Sequence, residues 1–204
     1  MNVPEKIAKY GLHPRGVIQV GSHHGEEIPV WEGLGIPHVH FEPIHSNCEK
    51  LLELHPGAKV FPVALGARAH HAVMFTEMVN GGQSCSLLAP KKHLEILPWI
   101  VFNGTETVSV ATLDSMPLDF PLYNFIYMDA QGYELEVLNG AGDTLAGIDF
   151  IFTEVNRDEV FSGCALVEEL DAFLLSYGFR RVETEWHGGD FGDALYVKHH
   201  DSTA

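Results

Sequence analysis

A glycine turn and an acidic residue beyond it are the first features of this sequence that could serve chemistry. Residues 17–25, VIQVGSHHG, are typical of a buried strand that runs into a turn at Gly21, with Gly25 where a helix would begin. Glycine lets a chain turn sharply and lets a ligand approach the backbone. Glu42 closes the next apolar run, about 20 residues beyond the turn, where a carboxylate can accept hydrogen bonds from both ribose hydroxyls of a nucleoside. Together the two features favour a nucleoside-binding site over a structural turn followed by a solvated acid.

The side chain inside the turn indicates which nucleoside is bound. A dinucleotide site prefers glycine at the position of His23, because the pyrophosphate touches the backbone there. S-adenosylmethionine has no phosphate and tolerates this side chain, and its positive sulfonium and ammonium groups suit an acidic protein. We therefore predict S-adenosylmethionine as the cofactor, with an NAD-dependent oxidoreductase as the alternative.

Further polar residues follow predicted strands later in the chain. Asp129 stands at the carboxyl end of the fourth predicted strand and Glu154 at the end of the fifth, so both should face the ligand crevice of a doubly wound sheet. His187 lies in a glycine-containing turn before the last strand and is a candidate base. We predict these three as catalytic residues. The alternatives are a helix N-cap for Asp129 and ordinary structural roles for the other two.

The histidines do not form a recognisable metal motif. The adjacent pairs His70–His71 and His199–His200 would point to opposite faces of a strand, and no H-E-x-x-H spacing occurs. We predict no dedicated metal site. A divalent metal held by Asp129 is compatible with the chemistry considered below.

The elements that must position these residues alternate between short apolar strands and amphipathic helices. This alternation predicts an α/β, Rossmann-like fold: a mostly parallel seven-stranded sheet with helices on both faces. The last two strands are too close for a helical crossover and should pair antiparallel, giving an antiparallel edge strand. Ser46 and Glu49 have the spacing of a capping box for the helix after the second strand. The predicted strands cover residues 17–20, 38–41, 59–63, 124–128, 148–153, 179–183 and 194–198.

Residues 1–204 read as a single domain with an N-terminal extension at 1–16. Residues 66–114 depart from the alternation and are predicted to be an insertion, with a possible strand at 72–76. Within it, 79–103 is expected to form a mobile cover over the acceptor pocket. The basic cluster Lys91-Lys92-His93 is expected on a solvated face.

Composition restricts the partners and the compartment. Twelve basic residues against 28 acidic ones give a net charge of −16, which repels phosphate backbones and anionic membranes. No apolar run reaches the ~18 residues of a membrane span, and no secretory signal is visible at the N-terminus. Three separated cysteines indicate neither a disulfide framework nor a zinc site. We expect a soluble cytoplasmic protein with a small-molecule or glycan acceptor, and no nucleic-acid or membrane partner.

Six segments read together resemble the FkbM family of methyltransferases over residues 17–197. The most specific part is D-x-Q-G-Y-E followed by L-x-G-A. The resemblance implies the class I methyltransferase fold and O-methylation of sugars and secondary metabolites. The segments are VIQVGSHHG (17–25), HFEP (40–43), PVALG (62–66), VATLDSM (110–116), MDAQGYELEVLNGA (128–141) and IFTEV (151–155).

The resemblance also implies roles for individual residues. Glu42 would hold the ribose, Ala64 and Leu65 would flank the adenine, and Asp129 would face the reaction centre. In two positions the chain departs from the family: Gln19 stands where Asp is usual, and His23 where Asn is usual. The remaining members of the predicted cofactor site are Gly21, Ser22, Gly25 and Pro43.

We therefore predict an S-adenosylmethionine-dependent O-methyltransferase. A non-catalytic ligand-binding module, favoured by the uncharged Gln19, is a further alternative. Methyl transfer would be an in-line displacement in which holding the acceptor oxygen near attack distance supplies much of the rate. An ordinary Asp, with a pKa of ~3.9, is a weak base toward an alcohol. Asp129 is therefore expected to orient the hydroxyl and take its proton late, or to ligate a metal that acidifies it.

Overall fold

The central sheet has the strand order of a doubly wound fold. The computed structural model describes residues 2–199, and in it seven strands lie in the order β3-β2-β1-β7-β8-β10-β9. All neighbouring pairs from β3 to β8 are parallel, which confirms the predicted fold class. The strands are β1 (Val17–Val20), β2 (His38–Phe41), β3 (Lys59–Phe61), β7 (Phe125–Met128), β8 (Phe150–Asn156), β9 (Phe179–His187) and β10 (Phe191–Lys198).

The antiparallel pairing lies at one edge of the sheet, as predicted. β10 pairs antiparallel with both β8 and β9, so β9 is the edge strand and runs in the same direction as β8. The helix between β8 and β9 leaves one strand position free between them. A short turn then leads back to β10, which occupies that position. The hairpin pairing of the last two strands was predicted correctly.

Helices cover both faces of this sheet. One apolar cluster contains Ile18, Met128 and Leu170, and a second contains Val17, Trp31 and Phe125. Successive residues of β1 and β7 thus enter different clusters, as expected where side chains alternate between faces. The helices are α1 (Val3–Tyr10), α2 (Ile28–Leu34), α3 (His45–Leu54), α4 (His93–Ile96), α5 (Glu134–Asn139) and α6 (Val167–Ser176). None of them has the length and apolar character needed to cross a membrane.

The predicted N-terminal extension contains α1, which packs on the sheet. Val3 joins the second apolar cluster, and the ammonium group of Lys6 lies 2.9 Å from a carboxylate oxygen of Glu183 and 2.7 Å from one of Glu185. The first helix is thereby fixed to the edge strand β9.

The predicted insertion contains more regular structure than expected. β4 (Ala64–Leu65), β5 (His70–Glu77) and β6 (Phe102–Ala111) form a second sheet in the order β4-β6-β5. The predicted strand at 72–76 is therefore a part of β5. β6 was missed, although Val108 and Val110 are buried and alternate with exposed residues. Its pairing with β5 spans a long loop, so the local pattern did not reveal the partner.

The capping box predicted at Ser46 and Glu49 is wrong. Helix α3 begins at His45 with Ile44 as its N-cap, and no side chain caps it. The backbone N–H of Ile44 instead donates to a carboxylate oxygen of Glu42 at 2.9 Å, so the end of β2 fixes where the helix begins.

Candidate functional site

A cleft of about 440 Å³ opens at the carboxyl ends of the parallel strands. Its position follows from the topology, because the chain winds outward from β1 in one direction and then returns to β7 on the other side. The parallel registers align Val20 with Phe41 and Met128, and Met128 with Thr153. The residues just beyond these strand ends therefore meet at one edge of the sheet.

The glycine turn after β1 packs against the end of β7, the neighbouring strand in the sheet. Gly21 has a φ of +75°, and a Cβ at this position would overlap the carbonyl oxygen of Asp129. Gly25 has a φ of +82° and closes the turn through its N–H, which donates to the carbonyl of Ser22 at 2.7 Å. Both glycines are required by backbone conformation. Gly21 lines the cleft, whereas Gly25 is not in its wall.

His23 ties the turn to two other parts of the site. Its backbone N–H donates to a carboxylate oxygen of Glu42 at 2.9 Å. Its ring bonds through Nδ1 to Glu26 at 2.6 Å and through Nε2 to the carbonyl of Gly81 at 2.8 Å. His23 thus lines the cleft and joins the turn to the loop after β5.

Glu42 is a buried carboxylate in the wall of the cleft, with only 4% of its surface exposed. Besides His23 and Ile44 it accepts from the side-chain amide of Asn47 at 3.3 Å. Burial raises the pKa of Glu42 to about 7, and the two backbone N–H donors partly oppose that rise. The other predicted cofactor residues in the wall are Ser22, Pro43, Ala64 and Leu65.

Gln19 lies behind the wall of the cleft. Its side-chain NH₂ donates to a carboxylate oxygen of Glu27 at 2.6 Å, and its carbonyl oxygen accepts from the indole N–H of Trp31 at 2.7 Å. Glu27 does line the cleft, and sequence reasoning missed it. The signal available was an acidic residue one helical turn before Trp31, which alone does not distinguish Glu27 from Glu26.

A group of carboxylates lies near β7 and β8, and two of its members, Asp129 and Glu154, line the cleft. Oxygens of Asp129, Glu134 and Glu154 lie within 4.8 Å of one another. The side-chain NH₂ of Gln131 bridges the group, donating to Asp129 at 2.7 Å and to Glu154 at 3.4 Å. Asp193, from β10, also lines the cleft, and it was not predicted from the sequence.

Asp129 does not serve as a helix cap. Helix α5 begins only at Glu134, its N-cap residue is Tyr133, and no side chain caps it. Glu134 itself accepts from the backbone N–H groups of Ala130 at 2.9 Å and Gly132 at 3.1 Å. The carboxylate of Asp129 is left open to the cleft.

The pKa values of Asp129, Glu134 and Glu154 are all raised above the ordinary values of these side chains. Burial, followed by the charges of Asp129, Glu134 and Asp193, raises the pKa of Glu154 well above its ordinary value. Removal from water and the charge of Asp193 raise the pKa of Asp129 as well, and the hydrogen bond from Gln131 opposes this rise. Burial raises the pKa of Glu134 to about 7. Two of the predicted catalytic carboxylates are therefore more basic than in water.

His187 is the third predicted catalytic residue, and it also faces the cleft. It ends β9, and its Nε2 lies 3.0 Å from a carboxylate oxygen of Asp193. Asp129, Glu154 and His187 all line the same cleft, although they come from three separate segments.

Asp129, Glu134 and Glu154 are also the residues best suited to hold a divalent cation. Carboxylate oxygens are the ligands that Mg²⁺ and Mn²⁺ prefer. Glu134 already accepts two backbone N–H groups through one oxygen, which leaves its other oxygen for a metal. A second group, His23, His24 and Glu26, has comparable spacing, but two of its members already bond to each other.

The basic cluster predicted on a solvated face is only partly exposed. Lys91 pairs with Glu159, and Lys92 pairs with Asp158 at 2.6 Å and Asp190 at 2.9 Å. His93 is buried and lines the cleft, which the sequence did not indicate.

Comparisons with known proteins agree with this geometry. The family model described as the methyltransferase FkbM domain matches residues 19–181. A 2-O-methyltransferase, NoeI, from Sinorhizobium fredii (strain NBRC 101917 / NGR234) is 34% identical over 104 residues, 48% of this chain and 43% of that protein. The chain thus spans less than half the length of this curated relative.

Two solved structures share the fold at low identity. Magnesium protoporphyrin IX methyltransferase from Synechocystis PCC 6803 with bound SAH has a TM-score of 0.52 at 10% identity, covering 97% of this chain and 80% of that one. The PH0226 protein from Pyrococcus horikoshii OT3 has a TM-score of 0.53 at 8% identity, covering 96% and 87%. The match over residues 19–181 decides the family: the chain belongs to the FkbM methyltransferases, whose cofactor is S-adenosylmethionine.

Proposed function

We propose that this chain transfers the methyl group of S-adenosylmethionine to a hydroxyl oxygen of a small acceptor, a sugar or a secondary metabolite. The observation that carries the proposal is that Glu42 and Asp129 line one cleft at the carboxyl edge of the sheet. In this proposal Glu42 accepts hydrogen bonds from the ribose hydroxyls, and Asp129, which is open to the cleft, faces the acceptor. The printed activity of the relative NoeI, a 2-O-methyltransferase, supports transfer to oxygen.

The reaction requires the acceptor oxygen to attack the sulfonium methyl in line with the carbon–sulfur bond. Bound S-adenosylmethionine would supply an activated methyl group: its carbon–sulfur bond would break as the carbon–oxygen bond forms, with a neutral thioether as the leaving group. The hydroxyl proton passes to a carboxylate, and the raised pKa values of Asp129 and Glu154 make them better acceptors than ordinary acids. Positioning supplies much of the rate, since effective molarities for well-oriented groups are large.

The cleft favours an uncharged acceptor. None of the described residues in its wall is Lys or Arg, while Asp129 and Asp193 bring negative charge to it. Carboxylates and the imidazole of His187 are suitable hydrogen-bond partners for hydroxyl groups. A neutral polyhydroxylated molecule fits this wall better than a phosphorylated one.

The test combines cofactor binding with product detection. Calorimetry should show binding of S-adenosylmethionine but not of NADH. Incubation with a panel of neutral glycosides should release S-adenosylhomocysteine and add one methyl group to an acceptor oxygen, located by mass spectrometry. Failure to bind S-adenosylmethionine would overturn the proposal, and cofactor binding without turnover on any hydroxylated acceptor would favour a binding module.

A further inference from the structure

Two successive hydrogen bonds, from Trp31 to Gln19 and from Gln19 to Glu27, orient the carboxylate of Glu27 in the wall of the cleft. Trp31 and Gln19 are fully buried, and an indole N–H can only donate. It therefore fixes the carbonyl oxygen of Gln19 toward Trp31, at 2.7 Å, and leaves the NH₂ to face Glu27, at 2.6 Å. Because the Gln19 amide presents only a donor on this side, the group it holds must be an acceptor, which a carboxylate provides.

The position of Glu27 is distinct from that of the other carboxylates in the cleft. Its neighbour Tyr127 lies on β7 and also lines the cleft, and burial together with the charges of Glu27 and Asp129 raises the pKa of that tyrosine. Glu27 thus contacts side chains of β1 and β7, Gln19 and Tyr127, whereas Glu42 follows β2.

The charge of Glu27 has no cationic side chain to balance it in the wall. Burial raises the pKa of Glu27, the hydrogen bond from Gln19 opposes this, and the charges of Glu26 and Asp129 add to the rise. No Lys or Arg is among the described wall residues. A carboxylate that is removed from water and held in one orientation is stabilised when a ligand brings a positive charge to it.

We propose that Glu27 binds the α-ammonium group of the cofactor's methionine part. This rests on the proposed function, in which Glu42 accepts from the ribose and Asp129 faces the acceptor. The ammonium group lies at the far end of the methionine side chain from the sulfur, and Glu27 supplies the negative charge that Gln19 lacks. Gln19 and Trp31 are positioning residues, since they orient Glu27 and do not reach the ligand.

Three thioether ligands test the assignment by calorimetry. S-adenosylhomocysteine carries the ammonium group, its deaminated analogue keeps the carboxylate without the ammonium, and 5′-methylthioadenosine lacks the whole amino-acid part. Glu27→Gln should weaken S-adenosylhomocysteine binding by about 10- to 100-fold, as expected for loss of a charge-assisted hydrogen bond. Binding of the other two ligands should change by less than about threefold.

Glu32→Gln is the matched control, because Glu32 is an exposed residue of α2, the helix for which Glu27 is the N-cap residue, and its substitution removes the same charge. It should leave all three affinities unchanged. Equal binding of S-adenosylhomocysteine by wild type and Glu27→Gln would overturn the inference, as would an equal loss for all three ligands. If wild type binds none of them, the proposed function itself fails, so the two failures are distinguishable.

Discussion

Glu42 and Asp129 each directly follow a strand of the same sheet, yet their surroundings give them different chemistry. Glu42 is buried and accepts from two backbone N–H groups, so it is held in one orientation. Asp129 is open to the cleft and is held by Gln131. A fixed acceptor suits recognition of a ribose, whereas an accessible carboxylate with a raised pKa suits a proton transfer.

Replacing Glu42 by Ala should weaken S-adenosylmethionine binding by about 1.5–3 kcal/mol, because ribose hydroxyls lose a charged partner. The loss should extend to 5′-methylthioadenosine, which keeps the ribose. Glu53→Ala, in the exposed part of α3, is the control. Calorimetry on a folded Glu42→Ala protein with unchanged affinity would remove Glu42 from the cofactor site.

Replacing Asp129 by Asn should lower turnover by about 100-fold or more, while cofactor affinity changes by less than about threefold. Asn keeps the size of the side chain but loses the charge, and with it proton acceptance and strong metal binding. Steady-state kinetics with an identified acceptor measure the first effect and calorimetry the second. Near wild-type turnover would exclude a chemical role.

Sensitivity of the wild-type activity to a chelator would assign Asp129 to a metal, and insensitivity would favour direct orientation of the hydroxyl.

At the scale of elements, one buried side chain organises the turn between β7 and α5. The same oxygen of Glu134 accepts from Ala130 and Gly132, and Gly132 has a φ of +93°. Asp129 and Gln131 lie on this turn. The geometry of the candidate catalytic group therefore depends on a residue that is itself only 2% exposed.

Glu134 should make stability depend on pH. Its pKa is raised from 4.5 to about 7 by burial and by Asp129, so the folded protein keeps a proton that the unfolded chain releases. Stability should therefore fall as the pH rises through this interval. Glu134→Gln keeps the accepting oxygen and removes the charge, so it should reduce the dependence to the part contributed by Glu42 and Glu154, and be more stable than wild type near pH ~8.

Glu134→Ala is the contrasting variant, because two N–H groups lose their acceptor. It should be destabilised by about 1–3 kcal/mol at every pH. Urea unfolding of the three proteins at several pH values measures both effects. A Gln variant with the full wild-type pH dependence would show that Glu134 is not the titrating group.

Amide hydrogen exchange in the segment at 79–103 should slow when the cofactor binds. Gly82, Ser84 and His93 line the cleft, so a ligand would restrain the segment that carries them. Hydrogen exchange read by mass spectrometry should slow within 79–103 on addition of S-adenosylhomocysteine, with α6 as the unaffected reference. High protection before any ligand is added would contradict the mobile cover, and the salt bridges of Lys91 and Lys92 are the contacts that would explain it.

At the scale of the whole molecule, charge should select the acceptor. The net charge of −16 and the carboxylates of the cleft create a field that disfavours anions. A neutral glycoside should therefore have a kcat/KM at least about 10-fold above that of its phosphorylated counterpart. Added salt should narrow the gap, because it screens the repulsion. Equal or higher kcat/KM for the phosphorylated acceptor would contradict this expectation.

The sequence by itself determined the parallel strands and the polar residues that follow them. Glu42 and Asp129 were predicted because a strand end is marked locally, and parallel strands bring their carboxyl ends to one edge. Glu154 was expected just after its strand, but it lies within β8, which continues to Asn156. The turn at Gly21 was equally local, since the backbone conformation there requires glycine.

Only the tertiary structure decided which other side chains reach the cleft. The insertion of β10 between β8 and β9 brings Asp193 to the cleft. The second sheet pairs β4 with β6. His93 lines the cleft, while the neighbouring lysine pairs with an acidic residue. The placement of Gln19 behind Glu27 depends on a hydrogen bond to Trp31 on the neighbouring helix. These features rest on contacts between segments that are distant in sequence or on side-chain orientation, and neither leaves a periodic signal in the chain.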